Sequence, residues 1–180
     1  ASLQYWAQNG RASRKRFVSL EDAFHGETLG VTAIGGVDLF RRPFEGAIPD
    51  HLRVPSPTKA GSLERAAEIV SGVFDRHAET LAAVVVEPVV QGAAGMQIYD
   101  PAYLRVVREL CDRHDVLLIV DEVFTGYGRT GPMWACEHAG VVPDLVCTAK
   151  GFCGGMLPMA ATLFTGRVFE GFLGSAERAF

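Results

Sequence analysis

Two charged residues follow apolar runs in this sequence, and their side chains suit one another chemically. Lys150 ends the run at residues 145–149, and Asp121 ends the run at residues 116–120. If both runs are parallel strands of an open α/β sheet, both side chains reach the carboxyl edge, where ligands bind. A buried lysine amine can condense there with an aldehyde, and a buried carboxylate can keep a pyridine nitrogen protonated. The pair therefore predicts a site for pyridoxal phosphate (PLP).

The elements that would position this pair can be recognised from apolar patterns. Short, largely apolar segments predict strands at residues 16–20, 82–86, 116–121, 145–150 and 160–164, and the continuous runs are typical of strands covered on both faces. Apolar residues at helical spacing follow Ser62, which can cap a helix, and Asp100 with Pro101 begins another. Residues 31–57 are rich in Gly and Pro and predict a long loop. Alternating strands and helices predict a three-layer α/β/α fold with a mostly parallel sheet.

Composition restricts the class of protein. At 180 residues the chain is about the size of one domain. Its 48% hydrophobic and 21% charged residues predict a packed core. A net charge of −4 offers no electrostatic attraction for nucleic acid, and no apolar stretch is long enough to cross a membrane. The four cysteines form no CxxC pair and no histidines cluster at zinc-ligand spacing, so we expect no metal and the reduced thiols of a cytoplasmic protein.

Four stretches, taken in order, resemble one family. They are residues 24–28 (FHGET), 86–92 (VEPVVQG), 120–131 (VDEVFTGYGRTG) and 143–150 (PDLVCTAK). With this order and spacing the chain resembles the class III aminotransferases, which have PLP fold type I, over essentially its whole length. The block from Asp121 to Lys150 is the most specific part of the resemblance.

The resemblance implies a role at the cofactor for each matching residue. Lys150 would bind PLP covalently and act as general acid and base, and Asp121 would pair with the pyridine nitrogen. Phe24 would stack on the cofactor ring, with His25 and Gly26 beside it. Members of the family that act in biotin synthesis usually carry tyrosine in place of Phe24, so this residue is a departure. We expect His25 to support its turn rather than to transfer protons.

The resemblance also bears on the substrates. In relatives that use 4-aminobutyrate or ornithine, a glutamate occupies the position of Ala93. That glutamate gates an arginine that binds 2-oxoglutarate. Its absence favours a different substrate pair. The phrases at residues 135–144 (ACEHAGVVPD) and 154–163 (GGMLPMAATL) are similar to those of the members in biotin synthesis. This similarity implies S-adenosylmethionine as amino donor and 8-amino-7-oxononanoate as keto acceptor.

Three further polar residues are candidates for support or substrate contact. Gln91 is a candidate contact to the cofactor or the substrate. Arg129 can bind a substrate carboxylate through its guanidinium fork, or it can hold its loop against Glu122 or Asp144. Glu87 is expected to accept hydrogen bonds from loop backbone.

Other functions remain open at this point. Residues 117–122 also resemble a Walker B strand, but the chain has no P-loop, and an NTPase would leave Lys150 unexplained. Within the family, an ω-aminotransferase acting on a diamine or an amino acid is the alternative.

We expect this chain to be an internal piece of a longer protein, because Ala1 begins within a helix-like segment and no terminating signal precedes Phe180. Residues 1–180 would be the central part of the PLP-binding large domain, with an N-terminal segment and a C-terminal small domain outside them. The resemblance implies a homodimer with its active site at the subunit interface. It also places the phosphate-binding residues outside this chain. A truncated chain that cannot bind PLP is therefore the non-enzymatic alternative.

Overall fold

The computed structural model describes residues 1–174, and within them the chain forms a six-stranded sheet flanked by helices. The sheet strands are β1 (Arg16–Leu20), β2 (Leu52–Val54), β3 (Leu81–Val86), β6 (Leu117–Asp121), β7 (Leu145–Thr148) and β8 (Ala161–Phe164). Their order is β2-β1-β3-β6-β7-β8, and every neighbouring pair is parallel except β7 with β8. A separate antiparallel pair is formed by β4 (Val90–Gln91) and β5 (Gln97–Ile98). The predicted chain end at residues 178–180 lies outside the described residues.

Helices cover both faces of the sheet. They are α1 (Ser2–Gln8), α2 (Leu29–Ile34), α3 (Asp38–Arg41), α4 (Pro57–Ala60), α5 (Leu63–His77), α6 (Ala102–His114) and α7 (Gly166–Glu170). Short 3-10 turns occur at Arg42–Phe44, Ala78–Thr80, Ala135–Ala139 and Lys150–Phe152. No helix within residues 1–174 is long and apolar enough to cross a membrane.

The core lies on the two faces of the central strand β3, whose residues are all buried. Val84 and Val86 pack with α5 and α6, whereas Ala83 and Val85 pack with α1 and α7 on the other face. Successive residues of a strand point to opposite faces, so a strand covered on both sides must be apolar throughout. This arrangement confirms the predicted three-layer α/β/α fold and the predicted strands, to within a residue or two at their ends.

The predicted helix starts are also close to the observed ones. The Ser62 hydroxyl accepts from the Arg65 N–H at 3.1 Å at the start of α5, as expected for a cap. Asp100 accepts from the Ala102 N–H at 2.8 Å, but α6 begins at Ala102 and Pro101 precedes its first turn. The prediction for α6 was therefore one residue early, an ordinary uncertainty at a helix end.

The prediction of a long loop at residues 31–57 is wrong, because this segment contains α3 and β2 as well as parts of α2 and α4. Tertiary contacts stabilise it. Arg53 in β2 donates to the Gly35 and Ala33 carbonyls at the end of α2. Gly36 lies against the turn that follows β1, where an added Cβ would be 2.5 Å from the Asp22 nitrogen. The glycines therefore allow close packing, which composition does not distinguish from a loop.

Candidate active site

The carboxyl ends of four neighbouring strands meet at one cleft. The turn after β1 contributes Phe24, His25 and Gly26, while β3, β6 and β7 lead into Glu87, Asp121 and Lys150. Together with Gly92, Ala93, Met96, Val123 and Phe124 these residues line a cleft of ≈ 360 Å³. In a parallel sheet this edge is where ligands bind, because all the strand ends open onto it. The structure therefore brings together five of the predicted site residues, and Gln91 and Arg129 are not part of this lining.

Asp121 is buried at the end of β6, and both of its carboxylate oxygens are engaged. His25 Nδ1 lies 2.8 Å from Oδ2, and the Val123 N–H donates to Oδ1 at 3.1 Å. A carboxylate only accepts, so Nδ1 of His25 carries the proton in this pair. The side chains are 12% and 4% exposed for Asp121 and His25 respectively, so water competes little with this bond. The structure thus places His25 against the carboxylate, a contact that the sequence analysis did not predict.

Lys150 differs from its prediction in two respects. Strand β7 ends at Thr148, and Lys150 begins the following 3-10 turn with a left-handed φ of +43°. The expectation of a buried lysine is also wrong: Lys150 is exposed, because the chain has left the sheet and turned to the cleft mouth before this residue. The following Gly151 packs so closely on Tyr127 that a Cβ there would be 2.8 Å from the ring.

An aromatic side chain that the sequence analysis missed lies beneath the lysine. The Lys150 amine is 5.3 Å from the centre of the Phe124 ring, and the Arg129 guanidinium carbon is 5.1 Å from it. Both distances are within the range of cation–π attraction. The sequence does show an aromatic residue closely following Asp121. The direction in which its side chain points, however, depends on the path of the loop.

Arg129 does not form the ion pairs considered for it, and Gln91 is bound to backbone outside the cleft lining. Within residues 1–174 no ion pair joins Arg129 to Glu122 or Asp144. Asp144 instead pairs with Arg108, and Glu122 accepts from Thr125 and from the Cys136 N–H. Gln91 is fully buried, and its amide donates to the Glu21 carbonyl at 3.0 Å.

Glu87 is buried and holds loop backbone, as predicted. Oε1 accepts from the Phe24 N–H at 3.2 Å, and Oε2 accepts from the Gly92 N–H at 2.9 Å. Burial raises the pKa of this carboxyl above its ordinary value of 4.5, although the two N–H donors and His25 act in the opposite direction. The Phe24 ring that this contact helps to place also meets Phe40 edge-on, with 5.4 Å between ring centres.

The fold is that of the class III aminotransferases. The family profile described as aminotransferase class-III matches residues 1–178, so the chain belongs to this family. Membership confirms the resemblance inferred from the four motifs.

Similar proteins include enzymes with one shared name. The adenosylmethionine-8-amino-7-oxononanoate aminotransferase of Geobacter sulfurreducens is 40% identical over 96% of this chain and 40% of its own length. The crystal structure of the enzyme of that name from Methanocaldococcus jannaschii has 34% identity and a TM-score of 0.88, over 99% of this chain and 41% of that one. This chain therefore spans about 40% of the length of the curated relatives it matches.

A further similar structure carries the predicted cofactor. It is an amine transaminase from an uncultivated Pseudomonas species in a PLP-bound form, with 36% identity and a TM-score of 0.85, over 95% of this chain and 41% of that chain. These similarities confirm the α/β fold of the PLP-dependent transaminases.

Proposed function

We propose that this chain is part of a PLP-dependent aminotransferase that acts in biotin synthesis. It would transfer an amino group from S-adenosylmethionine to 8-amino-7-oxononanoate, giving 7,8-diaminononanoate. The observation that carries the proposal is the presence of the Lys150 amine and the Asp121 carboxylate in one cleft. The names of the relatives from G. sulfurreducens and M. jannaschii support this pair of small-molecule substrates.

The cleft residues fit PLP. An aldehyde requires a primary amine, a pyridine nitrogen requires an acidic partner, and a flat ring requires an apolar wall. Lys150, Asp121 and Phe24 meet these needs around one cleft. Bound PLP supplies an aldehyde that captures amines and a ring that withdraws electrons from the substrate.

Each residue of the cleft would have its own task. Asp121, held by His25 and the Val123 N–H, would keep a proton on the ring nitrogen through its negative charge. The Lys150 amine at the cleft mouth would hold the aldehyde until a substrate amine displaces it. It would then take the proton from the amine-bearing carbon of the substrate as general base and give it back as general acid. Phe24 would cover one face of the ring and exclude water from it.

The remaining predicted residues would act further from the ring. Gly26 allows the tight turn beside Phe24, with a φ of +119°. Arg129, exposed above Phe124, is a candidate partner for a substrate carboxylate. Gln91 would support the segment around β4, since its amide is bound to backbone.

The substrate pair has a second candidate. An ω-aminotransferase acting on a diamine or an amino acid is supported by the similarity to the Pseudomonas amine transaminase. It is also supported by Phe24, because this residue lacks the hydroxyl of the tyrosine usual in the biotin-pathway members. Ala93 favours the first candidate, since the gating glutamate of the 2-oxoglutarate-dependent relatives is missing.

We also propose that residues 1–180 form the central part of the large PLP-binding domain of a cytoplasmic homodimer. Exposed apolar side chains on and before β8 support burial against further protein; they include Met156, Leu157, Met159, Leu163 and Phe164. The four free cysteines are compatible with a reducing compartment. The truncated-chain alternative is tested by mixing the chain with PLP and recording its near-visible absorption.

The test of the cofactor site is substitution of Lys150 in the full-length enzyme. Lys150→Ala should abolish transamination and the borohydride-reducible adduct with PLP, because the amine that binds the aldehyde is gone. Lys15→Ala is the control and should keep both. Trapping of PLP on another lysine in the Lys150→Ala protein would overturn the assignment.

The test of the substrate pair is a set of half-reactions with the PLP-loaded enzyme. S-adenosylmethionine should remove the absorption band of lysine-bound PLP, whereas 4-aminobutyrate should act slowly. Rapid reaction with 4-aminobutyrate or a diamine, and none with S-adenosylmethionine, would establish the ω-aminotransferase instead.

A further inference from the structure

Glu87 joins two walls of the cleft that are distant in sequence. It follows β3, the strand between β1 and β6, so its side chain reaches the middle of the carboxyl edge. One carboxylate oxygen accepts from the Phe24 N–H and the other from the Gly92 N–H. The Phe24 wall comes from the turn after β1, and the Gly92 wall comes from the segment after β4.

The Gly92 wall is connected to Lys150 through the ring of Phe124. A Cβ added to Gly92 would be 3.3 Å from two atoms of the Phe124 ring and 3.7 Å from Glu87 Oε2. The Phe124 ring therefore lies against the position that a Gly92 side chain would occupy, and the Lys150 amine lies over that ring. A shift of the Gly92 wall would move the surface on which the amine rests.

A carboxylate is the side chain that suits this position. It offers two acceptor oxygens and no donor, so it can satisfy two N–H groups that approach from opposite sides. The backbone of Glu87 is itself held, because the buried Tyr99 hydroxyl donates to the Glu87 carbonyl at 2.5 Å. An uncharged amide of the same shape has one acceptor, and would leave one part-buried N–H facing another donor.

We propose that Glu87 is a positioning residue that sets the separation and orientation of the two cleft walls. Through Phe24 it orients the aromatic wall, and through Gly92 and Phe124 it orients the surface under Lys150. Its effect on PLP rests on the proposed function, whereas its hold on the two walls can be measured without cofactor. The carboxylate does not itself take part in the chemical step.

The first test is hydrogen exchange of the full-length protein freed of PLP. Glu87→Gln should accelerate exchange of the Phe24 and Gly92 amides roughly tenfold or more, since one acceptor is lost. Glu87→Ala should accelerate both further. Asp144→Asn is the matched control. Asp144 is also a buried carboxylate, and it accepts from the Leu118 N–H at 2.8 Å near the start of β6, at the opposite end of the sheet.

The two amides should keep their wild-type exchange rates in the Asp144→Asn protein, even if its thermal stability falls. If exchange at Phe24 and Gly92 in folded Glu87→Gln equalled that of the wild type, the positioning role would be refuted. That result would leave the proposed transaminase function untouched, because the exchange measurement requires no cofactor or substrate.

The second test uses the PLP-loaded full-length enzyme. Glu87→Gln should bind PLP at least about tenfold more weakly and change the circular dichroism of the cofactor band, because the aromatic wall is reoriented. Asp144→Asn should leave the cofactor band unchanged. An altered exchange rate with an unchanged PLP affinity and cofactor band would show that Glu87 holds the walls without orienting the cofactor, which would overturn that part of the proposal.

Discussion

At the scale of single residues, Asp121 shows how a buried charge is made tolerable at the end of a strand. Burying a carboxylate without partners costs free energy, but here one oxygen accepts from His25 and the other from the Val123 N–H. The two hydrogen bonds also fix the carboxylate at the cleft, where a pyridine ring nitrogen would need it as a partner.

Asp121→Asn in the full-length enzyme should therefore retain the fold and lose most of the activity. An amide matches the shape of the carboxylate but cannot hold a ring proton by charge. We expect kcat to fall well over tenfold, corresponding to more than ~1.4 kcal/mol of barrier. Steady-state kinetics with thermal unfolding as the folding control measure this, and a variant running near the wild-type rate would contradict the role.

The cysteines provide a second prediction at this scale, because their surroundings differ. Burial and the nearby Glu122 raise the pKa of Cys136 to about 12, and burial also raises the pKa of Cys111 and Cys147. Backbone N–H groups, led by that of Gly155, lower the pKa of Cys153. The thiolate is the reactive form, so a disulfide reagent near pH 8 should label Cys153 first.

The labelling is measured in the folded protein by the rate at which the reagent releases its own thiol. Cys153→Ser should remove the fastest phase and leave the slower ones. Persistence of that phase in the variant would mean that another cysteine is the accessible one.

At the scale of elements, the site depends on how the turn after β1 is supported. Gly36, between α2 and α3, packs against this turn at 2.5 Å from the Asp22 nitrogen and 2.6 Å from the Leu20 carbonyl, measured from an ideal Cβ. Both neighbours are backbone atoms and cannot rotate aside. The turn leads into Phe24 and His25, so a shift here would reach the cleft.

Gly36→Ala should accordingly destabilise the protein by about 1–3 kcal/mol, the usual cost of overpacking. Gly30→Ala is a close control, because Gly30 lies in α2 with nothing within 4 Å of an added Cβ, and alanine favours a helix. Urea unfolding of the two variants makes the comparison. Equal stability of both would show that the chain around Gly36 yields easily.

At the scale of the whole molecule, the buried Glu87 carboxyl makes the stability of the folded protein depend on pH. Glu87 has a raised pKa in the folded protein, so the folded state holds this proton at pH values where the unfolded chain has released it. The contribution of Glu87 to stability is therefore greatest at low pH. It is lost as pH rises from about 4.5 through the raised pKa.

The difference in unfolding free energy between the wild type and Glu87→Gln should thus shift against the wild type across this window. The variant cannot titrate at this position, so groups that do not interact with Glu87 cancel in the difference, whereas His25 and Asp121 interact with it. Chemical denaturation at a series of pH values measures it. A difference that stays flat, or moves in favour of the wild type as pH rises, would show that the Glu87 pKa is not raised.

Much of this architecture could be read from local patterns. Continuous apolar runs were sufficient to predict the strands β3, β6 and β7, since a strand covered on both faces must be apolar throughout. Parallel strands share one carboxyl edge, so Asp121 and Lys150 were expected at one cleft, and they line it. The family motifs added Phe24, His25 and Gly26 to the same place.

Contacts between distant segments were decided only by the tertiary structure. His25 meets Asp121 across 96 positions of sequence, and Glu87 reaches Phe24 across 63. The outward turn of the chain that leaves Lys150 exposed was likewise decided only by the tertiary structure. Apolar periodicity reports which face of an element is buried, but it carries no information on the path of a loop or the rotamer of a polar side chain. These depend on hydrogen bonds that form only when the strands are already side by side.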